Sequence, residues 1–239
     1  MITKLYPANK RGTADHGWLQ ANFSFSFGSY FDEQNLQFGM LRVLNDDTIS
    51  AGTGFGMHRH DNMEIVTIPL EGGLKHVDSM GNEGVIGFGE VQVMSAGTGI
   101  LHSEMNASQS HPAKTLQLWV FPDRQGVSPR YGQKSFDIEN NRNVLVNIVC
   151  PYDQQKDDAL WVYQQTWFSI GALDAGKSVT YVNHRAGNGA YIFLLDGRVD
   201  IAGTELTKRD ALGITDFESF IVQCREDSKL LIVEVPMTN

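Results

Sequence analysis

Short runs of β-branched and aromatic residues, separated at close intervals by Gly, Asn and Asp, dominate this 239-residue chain. Segments with helical periodicity are scarce, and 24 glycines are available for turns. This pattern is typical of antiparallel sandwiches and barrels, because short strands need frequent tight turns. The sequence predicts eight strands, at residues 38–45, 63–72, 90–96, 115–121, 144–150, 161–173, 190–197 and 229–235.

The composition limits the classes of partner. The formal net charge is -9 and the pI is about 5.2, so no basic field gathers phosphates and direct binding of nucleic acid is not expected. Cys150 and Cys224 lie far apart and outside any CxxC spacing, which favours buried thiols in a reducing compartment. No signal-peptide core and no apolar run of about 18 residues occurs, which predicts a cytoplasmic protein without membrane contact.

The chain divides into two halves. Residues 122–137 lack periodicity and are rich in Pro and Gly, as is typical of a connection between lobes. The segments "EIVTIPLEGGLKHVDSMGN" and "AYIFLLDGRVDIAGTE" each run strand, acidic residue, Gly and second strand, which superposes Gly72 on Gly197. We therefore predict two copies of one antiparallel β-barrel, with a boundary at residue 130.

Two pairs of polar residues lie in the first half. Side chains two apart on a strand share a face, so His58, His60 and Glu64 are predicted to project to one side. His102 and Glu104 repeat the spacing in "GTGILHSEMN". A single H-x-H pair is common by chance, but two such pairs converging inside a barrel favour a divalent first-row metal. Without a cation, these buried polar groups would lack a compensating charge.

The other histidines are not assigned to this site. His16 and His111 lie in loop-like sequence, and His76 follows the turn at "GGLKHVD". The superposition places His58 on Asn183, His60 on Arg185 and Glu64 on Gly189. The second copy therefore lacks these three residues. His184 is one residue out of step and is predicted to be a surface or loop residue.

The segments "GTGFGMHRHDNMEIVTIPLEG" and "GEVQVMSAGTGILHSEMN" resemble the two cupin motifs in the form that the pirin family uses. The resemblance extends to "HGWLQANFSFSFGSYFD" and "LQLWV" and is close over residues 1–136. It implies an all-β bicupin, with two antiparallel, jelly-roll-like β-barrels in one chain. The expected domains are a metal-binding cupin at residues 1–130 and a degenerate cupin without metal at residues 131–239.

The resemblance also implies a ligand set. The ligands of pirins map onto His58, His60, His102 and Glu104 of this chain. Many other cupins use the glutamate of the first motif, here Glu64, and strand geometry does not choose between the two carboxylates. The pirin pattern favours Glu104 and leaves Glu64 to orient a ligating imidazole. Ser95 stands where the second motif usually has Pro.

Several bacterial relatives in the family are similar to quercetin 2,3-dioxygenases, which open the central ring of a flavonol with O2 and release carbon monoxide. The resemblance therefore implies a flavonol and O2 as substrates, with Glu104 or Glu64 accepting the flavonol proton. It implies Fe(II) as the metal, although Mn, Co, Ni, Cu or Zn would also suit three histidines and one carboxylate. The alternative is a metal-binding regulatory protein that acts through protein partners without catalysis.

A flat polyphenol would need apolar walls. Strand parity predicts Val66 and Ile68 on the face that carries His58. Aromatic and thioether side chains are expected at the entry: Phe55 and Met57, with Phe25 and Phe27 nearby. Ordinary core packing is the simpler explanation for each of these six. A third class, a sugar isomerase or decarboxylase of cupin fold, shares H-x-H but lacks the "SFSFG" and "HSE" segments.

Overall fold

The chain is built almost entirely of β-strands. The computed structural model describes residues 1–155 and 158–238, and within them it has 22 strands and one short 3-10 helix at Ala8–Lys10. No helix among these residues is long and apolar enough to cross a membrane. The strands of the first half are β1 Ile2–Tyr6, β2 Gly12–Asp15, β3 Leu19–Phe23, β4 Leu41–Ile49, β5 Gly54–His60, β6 Glu64–Glu71, β7 Gly73–Asp78, β8 Glu83–Gly87, β9 Glu90–Ser95, β10 Ile100–Asn106, β11 Ala113–Val120 and β12 Arg130–Ser135. Those of the second half are β13 Leu145–Pro151, β14 Leu160–Val162, β15 Trp167–Leu173, β16 Ser178–Val182, β17 Asn188–Asp196, β18 Arg198–Ile201, β19 Thr204–Thr207, β20 Ala211–Thr215, β21 Ser219–Cys224 and β22 Ser228–Pro236.

Each lobe combines a seven-stranded and a four-stranded sheet. The first lobe has the orders β12-β9-β6-β11-β4-β3-β2 and β5-β10-β7-β8. The second lobe repeats them as β1-β20-β17-β22-β15-β13-β14 and β16-β21-β18-β19. Every pairing is antiparallel except that of β13 with β14. The predicted all-β bicupin is confirmed.

The predicted internal repeat occupies equivalent hairpins. Gly72 lies between β6 and β7 with φ of 71°, and Gly197 lies between β17 and β18 with φ of 89°. A positive φ of this size favours glycine over any residue with a Cβ atom. Both lobes therefore use the same type of glycine turn to connect these two strands.

The lobes exchange edge strands. Strand β1, at the start of the chain, pairs with β20 in the second lobe, with Ile2 opposite Thr215. Strand β12 pairs with β9 in the first lobe, with Arg130 opposite Ser95. The domain boundary at residue 130 stays a prediction, and the pairing places residues 130–135 in the sheet of the first lobe.

The two seven-stranded sheets face each other across a shared apolar core. An aromatic group that draws on both lobes lies in it: the ring of Tyr191 is 5.2 Å from that of Tyr6, 5.3 Å from Phe25 and 5.5 Å from Phe38 between centroids. Aliphatic residues such as Leu118 and Val233 extend the same core. Each seven-stranded sheet is thus covered on both faces, by this core and by its own barrel interior.

Burial of these sheets on both faces explains which strands could be predicted from the sequence. All eight predicted segments fall in the seven-stranded sheets, where near-continuous apolar runs are required. The segment 161–173 was wrongly predicted as one strand: it is divided into β14 and β15 by a bend at residues 163–165. Strands of the four-stranded sheets have a solvent face and carry a weaker apolar pattern, as β5 shows.

The two barrel interiors differ in polarity. The second is filled by one apolar cluster that includes Ile192, Leu212 and Ile232. The first has an apolar cluster around Phe23 and another around Met94, with buried polar side chains also present. Those polar side chains are Asn45, Asp47, Thr67, His76, Gln92, His102, Glu104 and Thr115. Cys150 and Cys224 are both buried, as predicted.

Tyr191→Ala should destabilise the fold by about 3–5 kcal/mol, because it empties the aromatic group shared by the lobes. Urea unfolding followed by tryptophan fluorescence measures the loss. The control is Ile221→Ala, at a side chain that is 57% exposed, which should change stability by less than about 0.5 kcal/mol. A similar, small effect of both substitutions would contradict a shared core.

Candidate metal centre

The four-stranded sheet of the first lobe brings the predicted polar pairs together. His58 and His60 lie on β5, and His102 and Glu104 lie on the adjacent β10. His102 is directly opposite His58 in the register. The register then shifts between His102 and Glu104, so that Glu104 lies opposite Phe55. A β-bulge of this kind re-aims side chains locally.

Three imidazoles form a compact cluster. The ring centroids of His58 and His102 are 4.4 Å apart, those of His58 and His60 are 4.9 Å apart, and those of His60 and His102 are 5.0 Å apart. One ring nitrogen from each lies within 4.8 Å of the others. A metal bonded at about 2.0–2.2 Å to each ligand holds ligand atoms up to roughly 4 Å apart, so the spacing suits one ion.

Hydrogen bonding leaves imidazole lone pairs available. Nδ1 of His58 lies 2.8 Å from the backbone oxygen of Gly56, which only accepts, so Nδ1 carries the proton and Nε2 keeps its lone pair. His102 is 1% exposed, and in the part of the chain that the structure describes neither of its ring nitrogens has a hydrogen-bond partner. A buried imidazole with two unpartnered nitrogens is costly unless something binds it.

Burial favours the neutral, ligating form of these rings. Burial, together with the neighbouring His58, lowers the pKa of His60 to about 4. Burial and three neighbouring imidazoles lower the pKa of His102 to about 3. Both rings are therefore uncharged near neutral pH and can donate a lone pair to a cation.

Glu104 lies deeper in the barrel, at 1% exposure. Its carboxylate accepts a hydrogen bond of 2.6 Å from Nε2 of Gln117 and one of 3.2 Å from Oγ1 of Thr67. Burial raises the pKa of this carboxyl. These two donors, both on the seven-stranded sheet, fix the carboxylate from the side opposite the histidines.

Sequence reasoning missed His76. Ligand atoms of His76, His102 and Glu104 lie within 4.8 Å of one another, and all three side chains are buried. Strand β7 pairs with β10 so that His76 is opposite Glu104. Nε2 of His76 lies 3.1 Å from Oδ2 of Asp78, and its Nδ1 has no partner. The spacing His76-x-Asp78 on a strand next to His102 was the available signal.

The prediction that Glu64 shares a face with His58 and His60 is wrong. The strand ends at His60, and Asn62 has a φ of 44°, so Glu64 starts a new strand in the other sheet. Glu64 accepts a hydrogen bond of 2.7 Å from Oγ of Ser95. It therefore does not orient a ligating imidazole.

The same break removes Val66 and Ile68 from the face that carries His58. Both pack in the core between the lobes, as does Phe25. Met57 is 56% exposed on β5. Phe55 and Phe27 line a cavity of about 440 Å³ beside the histidine cluster, as expected of residues at the entry, and the Phe55 ring is 6.4 Å from that of His58.

The remaining histidines have other positions. His16 lines that cavity, and His111 is exposed in a loop. His184 lies in the exposed loop after β16, as predicted, where its ring stacks on Trp167 and its Nδ1 is 2.8 Å from Oε2 of Glu234. In the described residues, both groups of three or more close metal-ligating side chains belong to the first lobe.

Comparison with known proteins identifies the family. A sequence profile of pirin matches residues 5–120, and one of the quercetinase C-terminal cupin domain matches residues 147–235. A protein of Escherichia coli K12 named quercetin 2,3-dioxygenase is 38% identical over 233 residues, which cover 97% of this chain and 98% of that protein. The chain belongs to the pirin family of the cupin superfamily. A pirin-like protein of Caulobacter vibrioides is 37% identical over 228 residues, 95% of this chain and 97% of that protein.

Solved pirin structures share the whole fold. The crystal structure of YhhW from Escherichia coli has a TM-score of 0.93 at 38% identity and covers 98% of each chain. The bacterial pirin YhhW in complex with nickel(II) has a TM-score of 0.92 at 37% identity, covering 98% of this chain and 99% of that one. The His and Glu donors described above give this pirin-family chain a site that could hold a metal.

Glu64→Gln should stabilise the protein at high pH. Burial raises the pKa of Glu64 from the ordinary 4.5 to about 7, against the lowering effect of Ser95. Between these values the folded state keeps a proton that the unfolded state has lost, so folded-state stability falls as pH rises through the interval. The variant should gain on the order of 2–3 kcal/mol over wild type at pH 8 and much less at pH 5.

Urea unfolding of wild type and Glu64→Gln at both pH values measures this gain. Metal content should be equal in the two proteins, because Glu64 lies away from the histidines. An equal stability difference at pH 5 and pH 8 would contradict the raised pKa.

Proposed function

We propose that this pirin is a metal-dependent dioxygenase that opens the central ring of a flavonol such as quercetin with O2. The observation that carries the proposal is the cluster of three imidazoles beside a cavity with aromatic walls. Relatives that are named quercetin 2,3-dioxygenase and match nearly the full length of the chain support the same reaction.

The proposed ligands are His58, His60, His102 and Glu104. The imidazoles of His60 and His102 are neutral near pH 7. The two unpartnered nitrogens of His102 fit a group that accepts lone pairs. Three nitrogens and one carboxylate oxygen suit Fe(II), our proposed metal, and they also suit Mn, Co, Ni, Cu or Zn. The nickel(II) complex of YhhW is in keeping with this breadth.

A divalent metal held there would act as a Lewis acid toward the 3-hydroxyl of the flavonol. Glu104 is the proposed acceptor of the hydroxyl proton, at a carboxylate oxygen that Gln117 or Thr67 orients. Desolvation makes a carboxylate a stronger base, and burial raises the pKa of Glu104. The aromatic side chains of the cavity exclude water from the flavonol, which O2 would then meet in an apolar pocket.

The second lobe has a supporting part in this proposal. Its barrel interior is apolar, and the carboxylate of Glu234 is bound by Tyr181, His184 and Asn188. Its sheet covers the back of the sheet that carries Gln117 and Thr67. We propose that it keeps those donors in place without binding metal.

The decisive assay incubates Fe(II)-loaded protein with quercetin in air, following flavonol absorbance and carbon monoxide release. His102→Ala should lose metal and at least about 100-fold in rate, because the Lewis acid supplies several kcal/mol. His111→Ala is the matched control, since His111 is exposed and outside the cluster. A wild-type protein that binds metal and leaves quercetin intact would overturn the proposal and favour a regulatory role through protein partners.

His76→Gln should weaken metal binding by about 10–100-fold, because it removes the imidazole beside His102 and Glu104 while keeping an amide N–H for Asp78. Competitive titration with a chelator measures the metal affinity. His111→Gln serves as control for the same exchange at an exposed site. Equal metal affinity in all three proteins would show that His76 has only a packing role.

A further inference from the structure

The cavity beside the histidine cluster has several aromatic walls. Its walls include Trp18, Phe23, Phe27 and Phe55, and its volume is about 440 Å³. This size is within the range of about 300–1,000 Å³ that small-molecule sites show. Flat rings pack well against such edge-to-face walls, as the Trp18 and Phe55 rings already do at 5.2 Å.

Polar side chains interrupt the apolar lining, and two of them lie on one strand. Asn45 and Asp47 lie two residues apart on β4 and both line the cavity. The intervening Asp46 points the other way, toward Arg11 at 3.2 Å and Arg209 at 2.9 Å. The alternation of a strand therefore aims the two side chains together into the barrel.

Both side chains are buried with an unpartnered acceptor. Asn45 is 3% exposed and Asp47 is 5% exposed, and Oδ1 of each has no hydrogen-bond partner within residues 1–155 and 158–238. Native proteins rarely leave buried acceptors unpaired, so each calls for a donor from a ligand or an ordered water. Burial, with the charges of Asp46 and Glu104, raises the pKa of Asp47 to about 8, so its carboxyl is mostly neutral at pH 7.

The pairing of β4 with β11 links these acceptors to Glu104, the proposed proton acceptor. Asn45 is opposite Gln117 in the pairing of β4 with β11, and Asp47 is opposite Thr115 one step further along. Gln117 in turn donates to Glu104 at 2.6 Å. A flat ligand lying along β4 would thus have one end at Glu104 and the other at Asp47.

We propose that Asn45 and Asp47 form a hydroxyl-binding subsite that selects flat aromatic ligands carrying phenolic O–H groups away from the metal-binding end. The inference rests on the proposed function and adds a specificity determinant to it. Phenolic donors would satisfy the two Oδ1 acceptors, whereas a ring without hydroxyls would leave them unpaired.

The test compares the binding of two flavonols to metal-loaded protein under nitrogen, by quenching of tryptophan fluorescence. Quercetin has several hydroxyls, and 3-hydroxyflavone has only the one proposed for the metal-binding end. Asp47→Leu should weaken quercetin binding about 10-fold and leave 3-hydroxyflavone binding within about 2-fold. Asp47→Asn, which keeps an oxygen acceptor, should restore most of the quercetin affinity, and metal content should match wild type throughout.

Asn45→Leu provides a second variant with the same expected selectivity, should Asp47→Leu fold poorly. Equal loss for both flavonols, or no loss for quercetin, would overturn the subsite. If wild type still turns over quercetin in that case, the proposed function stands and only this inference fails. If wild type binds neither flavonol, both fail.

Discussion

The first barrel buries polar side chains where the barrel of the second lobe buries aliphatic ones. The candidate metal centre depends on this removal of polar groups from water. His102 and His76 are 1% and 0% exposed, yet three of their four ring nitrogens lack partners. Such groups cost free energy unless a ligand binds them. In the second barrel, Ile192 and Ile232 fill the interior instead. One fold therefore has a partly polar interior in one copy and an apolar interior in the other.

Rigidity comes from the sheets that are covered on both sides. Thr67 and Gln117 lie on strands between the first barrel interior and the core shared with the second lobe, so their donors to Glu104 have little freedom to move. Packing one lobe against the other thus supports a site that lies wholly within one of them. Exchange of the edge strands β1 and β12 strengthens this coupling.

The sequence predicted the structure well where a strand runs without interruption, and it failed where a strand breaks. The bicupin fold was predictable because doubly covered strands such as β17 require unbroken apolar runs. The grouping of His58, His60 and His102 was predictable because His58 and His60 lie two apart on one strand. His102 and Glu104 have the same spacing on the neighbouring strand. Parity failed for Glu64 because a left-handed residue, Asn62, ends β5 and moves the chain into the other sheet. The Asp61-Asn62 pair in "MHRHDNMEIV" was the available turn signal for that change of sheet.

The donors of the site differ in their access to solvent, and this difference bears on how a ligand enters. His76, His102 and Glu104 are fully buried, whereas His58 and His60 lie on β5, whose residues are half-buried or exposed. An ion or substrate must therefore approach past β5, the edge strand of its sheet. Phe55 lies on that strand and also lines the cavity, so the cavity adjoins the approach to the histidines. Under the proposed function, a flat ligand entering there would meet the imidazoles at one end and the acceptors on β4 at the other. Ring shape and hydroxyl placement are then the properties that we expect the site to discriminate.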